Sequence, residues 1–372
     1  MGTTLLQPTS TVFEGRLRDD LCIEVRDGVV TDVRPRTADT ARLDDGALLP
    51  GFVDLQVNGA GGRSVDEATP EALEIVARAV RAGGAVAFLP TLITSSLDSL
   101  CARGRAVAEW IRTYDGPGAV PLGVHLEGPF LERPGTHDAR EFLDPTDKNL
   151  DRILDAIGDA LRLVTLAPSR PGAPAAVRRL RAAGVHVALG HADDANGFDA
   201  CVEQGANCVT HLFNAMSPLH HRDPGMVGHA LVDDRVGCSL IVDGAHVDPI
   251  AVRVAYRCLG PARTILVTDS VAAAGMPDGE YSLNGASVRA EDGVVRDASG
   301  NLAGSALTMQ GAVRRFRSMV CDANLLDIAR IASTNPARSI GADSFGEIRV
   351  GARALFSRIQ GDAIEVVAPS AT

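Results

Sequence analysis

The strongest constraint on this chain is a rhythm: eight short apolar runs alternate with alanine-rich stretches of helical spacing through most of its length. The runs are 51–57 (GFVDLQV), 86–93 (VAFLPTLI), 121–127 (PLGVHLE), 161–167 (LRLVTLA), 185–190 (VHVALG), 207–212 (NCVTHL), 237–243 (GCSLIVD) and 264–269 (TILVTD). Near-continuous apolar runs predict parallel strands covered on both faces. The intervening stretches carry helix punctuation, such as Thr69-Pro70 opening and Gly83-Gly84 closing one, with Pro174 and Gly184 bracketing another. Eight such units predict a closed α/β architecture, the (β/α)8 TIM barrel, rather than a doubly wound sheet. A doubly wound sheet usually carries a glycine-rich dinucleotide turn after its first strand, and none here is convincing. The length of 372 residues leaves room beyond the roughly 250 residues of a barrel.

Two segments break the rhythm. Residues 1–49 read as short strands and turns, with Asp27-Gly28 a hairpin signal, and residues 345–372 read the same way. They are expected to pair as one small β-sandwich domain flanking a barrel at 50–344, with a hairpin inserted at 278–300. Aromatics make up only 4% of the chain, so the core must rest on Val, Leu, Ile and Ala.

Composition excludes several functions. A net charge of −11 disfavours nucleic acid as a partner, although one arginine can still hold an anionic small molecule. Seven cysteines, scattered and without a CxxC pair, predict neither a disulfide framework nor a structural zinc site. They fit buried thiols in a reducing cytoplasm. The N-terminus has no long apolar run, and no later stretch is long enough to span a bilayer, so a cytoplasmic location without a membrane partner is expected. Lys148 is the sole lysine and lies in a polar loop entering a helix (DPTDKNLDR). Schiff-base chemistry and a two-metal centre bridged by a modified strand lysine therefore lack their residue. No Gly-Lys pair exists to build a P-loop.

Barrel active sites form at the C-terminal strand ends. Those positions hold Gln56, Asn58, Glu127, His191, His211, His246 and Asp269. Imidazoles and a carboxylate gathered there are what a catalytic divalent ion needs, with one position open for water. His125, His186 and His229 fall inside strand or helix patterns, where a hydrogen-bonded structural histidine is the ordinary explanation.

The motifs PGFVDLQVNGAGG (50–62), GVHLEGPF (123–130), GHADD (190–194), THLFNAMSPLHHRDPG (210–225), VDGAHV (242–247), VTDS (267–270) and LAGSALTM (302–309) together resemble the N-acetylglucosamine-6-phosphate deacetylases of the amidohydrolase superfamily. The resemblance implies that Glu127, His191 and His211 hold one divalent ion per subunit, zinc first among candidates, with iron, manganese or cobalt also suited. It implies that Asp269 is the acid/base and that His137 binds the acetyl oxygen. Asn214, Ala215, Arg222, His246 and the stretch Ala306, Leu307 and Met309 would contact a sugar phosphate. Arg222 would reach the neighbouring subunit's site in a homodimer. The superfamily's usual His-x-His on the first strand is here Gln56-Val57-Asn58, resembling single-metal members and leaving a vestige of a second metal position. Ala354 stands where the resemblance expects an aspartate, which bears on the packing of the C-terminal strand.

The resemblance implies hydrolysis of N-acetyl-D-glucosamine 6-phosphate to glucosamine 6-phosphate and acetate. Three alternatives stay open on sequence: the galactosamine epimer as substrate, another amidohydrolase such as a cyclic-amide hydrolase, or a catalytically silent binding protein.

Overall fold

The computed structural model describes residues 2–36 and 44–369, so part of the N-terminal β segment, 37–43, lies outside the described residues. Eight parallel strands form the barrel: β1 (Phe52–Val57), β2 (Ala85–Ile93), β3 (Val124–Glu127), β4 (Leu161–Leu166), β5 (His186–Leu189), β6 (Cys208–Val209), β7 (Gly237–Leu240) and β8 (Thr264–Leu266). Each pairs in parallel with the next in sequence. Between β8 and β1 there is no continuous ladder. The ring is closed by a single parallel bridge, Val57 with Ser270, and by the Asn58 and Gly59 N–H groups donating to the Ser270 carbonyl.

Each strand is followed by a helix: α1 (Pro70–Ala82), α2 (Leu97–Thr113), α3 (Asp147–Ile157), α4 (Ala173–Ala182), α5 (Phe198–Glu203), α6 (Gly225–Val232), α7 (Pro249–Arg263) and α8 (Met309–Met319). The punctuation read from sequence operates as expected in α1. The Thr69 side chain accepts the Ala72 N–H, Pro70 takes the first helical position and Gly83 ends the helix. Strand β1 is buried along its whole length, as is β2, which explains why both read as apolar runs without alternation.

The terminal segments form two packed sheets. Thr3–Leu6, Leu21–Arg26 and Val29–Pro35 make a three-stranded antiparallel sheet, with Asp27 and Gly28 at positive φ in the expected hairpin turn. A five-stranded mixed sheet joins Pro8–Phe13, Arg16–Arg18 and Asp44–Pro50 to the C-terminal strands Phe356–Gln360 and Ala363–Val367. Leu6, Ile23, Val25, Val30, Leu48 and Phe356 fill the space between the sheets. Ala354 is buried in this cluster, and its N–H donates to the Gly28 carbonyl at 2.8 Å. The strand that follows, Phe356–Gln360, is paired on both sides.

One expectation needs correction. The hairpin placed at 278–300 is a four-stranded antiparallel meander of Gly279–Leu283, Ala286–Glu291, Val294–Asp297 and Leu302–Ser305. The LAGS stretch turns back to pair with Val294–Asp297, and Leu283, Val288, Val295 and Ala303 pack against Ile93 and Val271. The sheet therefore lies over the mouth of the barrel, beside the ends of β2 and β8.

Candidate active site

Three of the residues expected to do chemistry follow their strands at once and in left-handed backbone: His191 at φ 52°, His211 at φ 29° and Asp269 at φ 48°. This conformation is costly for a side chain with a Cβ and persists where the surroundings fix it. The His191 carbonyl accepts the N–H groups of Glu132 and Arg133, and the His211 N–H donates to Ser239 Oγ at 2.7 Å. Glu127 ends β3 and is buried.

These turns bring the side chains together. Glu127 Oε1 lies 2.8 Å from His211 Nε2 and 3.1 Å from His191 Nε2, and the two ring nitrogens are 3.2 Å apart. His137 Nε2 lies 3.5 Å from Glu127 Oε2. Glu127, His137 and His191 also present donor atoms within 4.8 Å of one another, so three imidazoles surround one carboxylate.

Hydrogen bonding separates their roles. His191 Nδ1 faces the Arg133 carbonyl at 2.7 Å, so Nδ1 carries the hydrogen and Nε2 offers its lone pair to the centre. His137 Nδ1 receives the Thr94 backbone N–H at 3.4 Å. A backbone amide can only donate, so this contact assigns the ring hydrogen of His137 to Nε2, where it serves as a donor. The Thr94 hydroxyl lies 3.0 Å from the same Nδ1 and 3.3 Å from the Glu127 carbonyl.

Electrostatics agree with a cation site. Burial acts to raise the Glu127 carboxyl, but the imidazoles of His137 and His211 beside it outweigh that and hold the group well below the usual range. Burial pushes His191 down to about 4, keeping it neutral. For His211 burial acts downward too, but the Glu127 contact overcomes it and the net direction is up. A divalent ion would take the Nε2 lone pair of neutral His211. Two imidazole nitrogens and an ionised carboxylate, 3 Å apart and buried, are a donor set that fits such an ion.

Asp269 stands beside them. Burial first, then the Glu127 charge, pushes its carboxyl up to about 6. Its Oδ1 accepts the Asn58 Nδ2–H at 2.8 Å. The Asn58 amide thus orients Asp269. Gln56 is buried with no partner for its Nε2 and is not part of the cavity wall.

The cavity is lined by Asn58, Glu127, His137, His191, His211, Asn214, Ala215, His246 and Asp269 among others. His246 Nδ1 donates to Asp243 Oδ2 at 2.6 Å, which leaves Nε2 for a ligand. Ala306, Leu307 and Met309, expected to wall the sugar pocket, are not among the residues lining this cavity. Leu307 and Met309 face a small space at the β1–β8 seam with Asp54 and Thr268, because Met309 begins α8 and is drawn into the core. Leu283, Leu302 and Gly304 of the meander take that place, with Ile93. Arg222 lies in an exposed turn, with Nη1 3.0 Å from His221 Nε2, and none of the cavity-lining residues is Arg or Lys. His125 is a core histidine, held by the Leu55 carbonyl and Thr165.

Sequence reasoning missed Ile93, Leu283 and Leu302, which carry no chemical signal, and Asp243, which did: it precedes His246 by three residues within VDGAHV. It also missed Asp54, a lone acid in the otherwise apolar or amide run of β1.

Comparison with known proteins places this geometry in a family. The amidohydrolase family model matches residues 47–368. The chain is 36% identical over 356 residues to the N-acetylgalactosamine-6-phosphate deacetylase of Escherichia coli O157:H7, covering 95% of this chain and 94% of that one. It is also 36% identical to the N-acetylglucosamine-6-phosphate deacetylase of Vibrio furnissii, over 88% of this chain and 82% of that one. The N-acetyl-D-glucosamine-6-phosphate deacetylase of Mycobacterium smegmatis, solved as a mutant in complex with N-acetyl-D-glucosamine-6-phosphate, superposes with a TM-score of 0.91 at 32% identity, covering 98% and 97% of the two chains. The chain belongs to the amidohydrolase family, among these amino-sugar-phosphate deacetylases.

Proposed function

We propose that this enzyme hydrolyses the N-acetyl group of N-acetyl-D-glucosamine 6-phosphate, giving D-glucosamine 6-phosphate and acetate, in amino-sugar catabolism or cell-wall recycling. The observation that carries the reading is the meeting of Glu127, His191 and His211 at 2.8–3.2 Å beside Asp269, inside one cavity at the barrel mouth.

Amide hydrolysis needs an activated water, a stabilised oxyanion and a proton for the departing amine. Glu127, His191 and His211 would hold one divalent ion per subunit, zinc by preference, with iron, manganese or cobalt also suited. When bound there, such an ion supplies Lewis-acid polarisation of the acyl oxygen and activation of water. Asp269 takes the water's proton and returns it to the nitrogen. Asn58 holds one of its oxygens, leaving the other for that transfer. His137 donates its Nε2–H to the acetyl oxygen as negative charge gathers on it. His246, fixed by Asp243, hydrogen-bonds the sugar, and Asn214 and Ala215 offer backbone groups to the phosphate. Because the lining residues include no Arg or Lys, the phosphate's cation comes from Arg222 of a second copy in a homodimer. No helix among the described residues is long and apolar enough to cross a membrane, and a cytoplasmic location fits seven free cysteines.

The galactosamine epimer is the second reading: the Escherichia coli relative of that name is 36% identical, and so is the glucosamine relative of Vibrio furnissii, so identity does not separate the two. The test is acetate release from both epimeric sugar phosphates by protein of known metal content. Turnover should vanish on chelation and return with added divalent ion. Release from neither substrate would reject the assignment, and full activity after complete metal removal would reject the mechanism.

A further inference from the structure

At the seam between β8 and β1, where the backbone ladder is replaced by one bridge, lies a carboxylate for which the scheme above has no use. Asp54, on β1, is 2% exposed. Its Oδ1 accepts the Thr268 N–H at 3.1 Å and the Gln56 N–H at 3.4 Å, and its Oδ2 accepts the Thr268 hydroxyl at 2.6 Å. The side chain thus serves Thr268 as a neighbouring strand's carbonyl would.

Thr268 immediately precedes Asp269, and the turn around them is engaged at nearly every polar group. The Thr268 hydroxyl accepts the Ser270 N–H at 3.2 Å. From the meander side, Ser305 Oγ donates to the Thr268 carbonyl at 2.5 Å and the Ser305 N–H donates to the Asp269 carbonyl at 2.8 Å. The Ser270 carbonyl is taken by Asn58 and Gly59. Between these anchors Asp269 stands at φ 48°. A non-glycine residue in such backbone lies about 1–3 kcal/mol uphill and stays there only when its surroundings over-determine it.

We propose that Asp54 is a positioning residue for the reaction, holding Thr268 so that the left-handed turn aims the Asp269 carboxylate at Asn58 and the cavity. The inference rests on Asp269 being the proton-transfer group, as argued above. An apolar side chain in this position would leave the Thr268 N–H without the acceptor it has here. A carboxylate instead matches three donors, two of them from the residue next to Asp269.

Three variants test it. Thr268→Val keeps the N–H and the shape but removes the hydroxyl. Asp54→Asn keeps the size but presents an NH2 where the Thr268 hydroxyl donates. Thr268→Ser keeps the hydroxyl and is the conservative control. Thr268→Val and Asp54→Asn should each lower kcat roughly 10- to 100-fold, as expected for a misplaced catalytic group. KM should stay within about twofold, because the lost interaction acts only in the transition state. Metal content should be unchanged, and Thr268→Ser should recover most of the rate. Crystal structures of Thr268→Val and Asp54→Asn should show the Asp269 carboxylate displaced from Asn58.

Undiminished kcat with only a lowered Tm would overturn the proposal, as would equal losses in the serine and valine variants. An unmoved Asp269 in the crystal would overturn it whatever the rates. Should Asp54→Asn fail to fold, Thr268→Val decides. Should the wild-type protein release acetate from neither epimer, the functional assignment falls, while the crystallographic arm still decides whether Asp54 positions Asp269.

Discussion

The barrel mouth and the terminal β-sandwich treat left-handed backbone in opposite ways. In the sandwich, Glu14 and Asp27 take positive φ, each followed by a glycine that shares the turn, Gly15 and Gly28. These are tight turns on the surface between short strands, where such geometry is the ordinary solution. At the mouth, His191, His211 and Asp269 take it as buried polar residues whose neighbours are pinned by hydrogen bonds from other strands. In one region the conformation closes a hairpin; in the other it turns a side chain inward. Strain at the mouth serves chemistry and is held by the surrounding barrel, so the two regions should answer differently to substitution.

The largest effect is expected at the mouth. Asp269→Asn should lower kcat roughly 10²- to 10⁴-fold, the usual contribution of a general acid–base group. Metal content and substrate binding should survive. The measurement is turnover alongside metal analysis and ligand titration. A variant that keeps full rate would remove Asp269 from the mechanism.

Next comes the sandwich. Ile23 is fully buried between its two sheets. Ile23→Ala should cost about 2–5 kcal/mol of stability from lost burial and the cavity left behind. Below the melting transition kcat should match wild type, because the cluster touches none of the catalytic residues. Denaturant unfolding paired with kcat checks this, and a comparable loss of kcat in folded protein would erase the contrast between the regions.

The smallest effect is graded by pH. Asp269 must be ionised to accept a proton, and burial with the Glu127 charge places its carboxyl at about 6. The rate should therefore hold above that value and fall as pH drops through it, about tenfold for each further unit. An acid limb near 4, the ordinary carboxyl range, would show that the buried environment does not act on the base.

Much of the fold was legible because burial on both faces leaves a coarse mark. A strand enclosed in a barrel cannot alternate, so β1 and β2 appear as apolar runs whatever their neighbours are. The meander was read as a hairpin for the complementary reason. Its strands are half-exposed, as the alternating burial of Ala286–Glu291 shows, and its last strand is only four residues long. Glu127, His191, His211 and Asp269 were legible because polar residues ending apolar runs have few structural uses. The side chains of Leu307 and Met309 line the seam rather than the cavity, and no local pattern tells which side of a turn faces the cavity.

The sequence by itself determined the order of strands and helices, the positions of the candidate ligands and base, and the lack of a lysine on any barrel strand, since each depends on residue type and local periodicity. Tertiary structure alone decided that His191 and His211 share one oxygen of Glu127, that His137 is held as a donor by Thr94, and that a carboxylate from β1 braces the turn at the end of β8. Those contacts join residues from 43 to 214 positions apart, and a hydrogen bond depends on ångström distances that closure of the barrel creates and that no local propensity encodes.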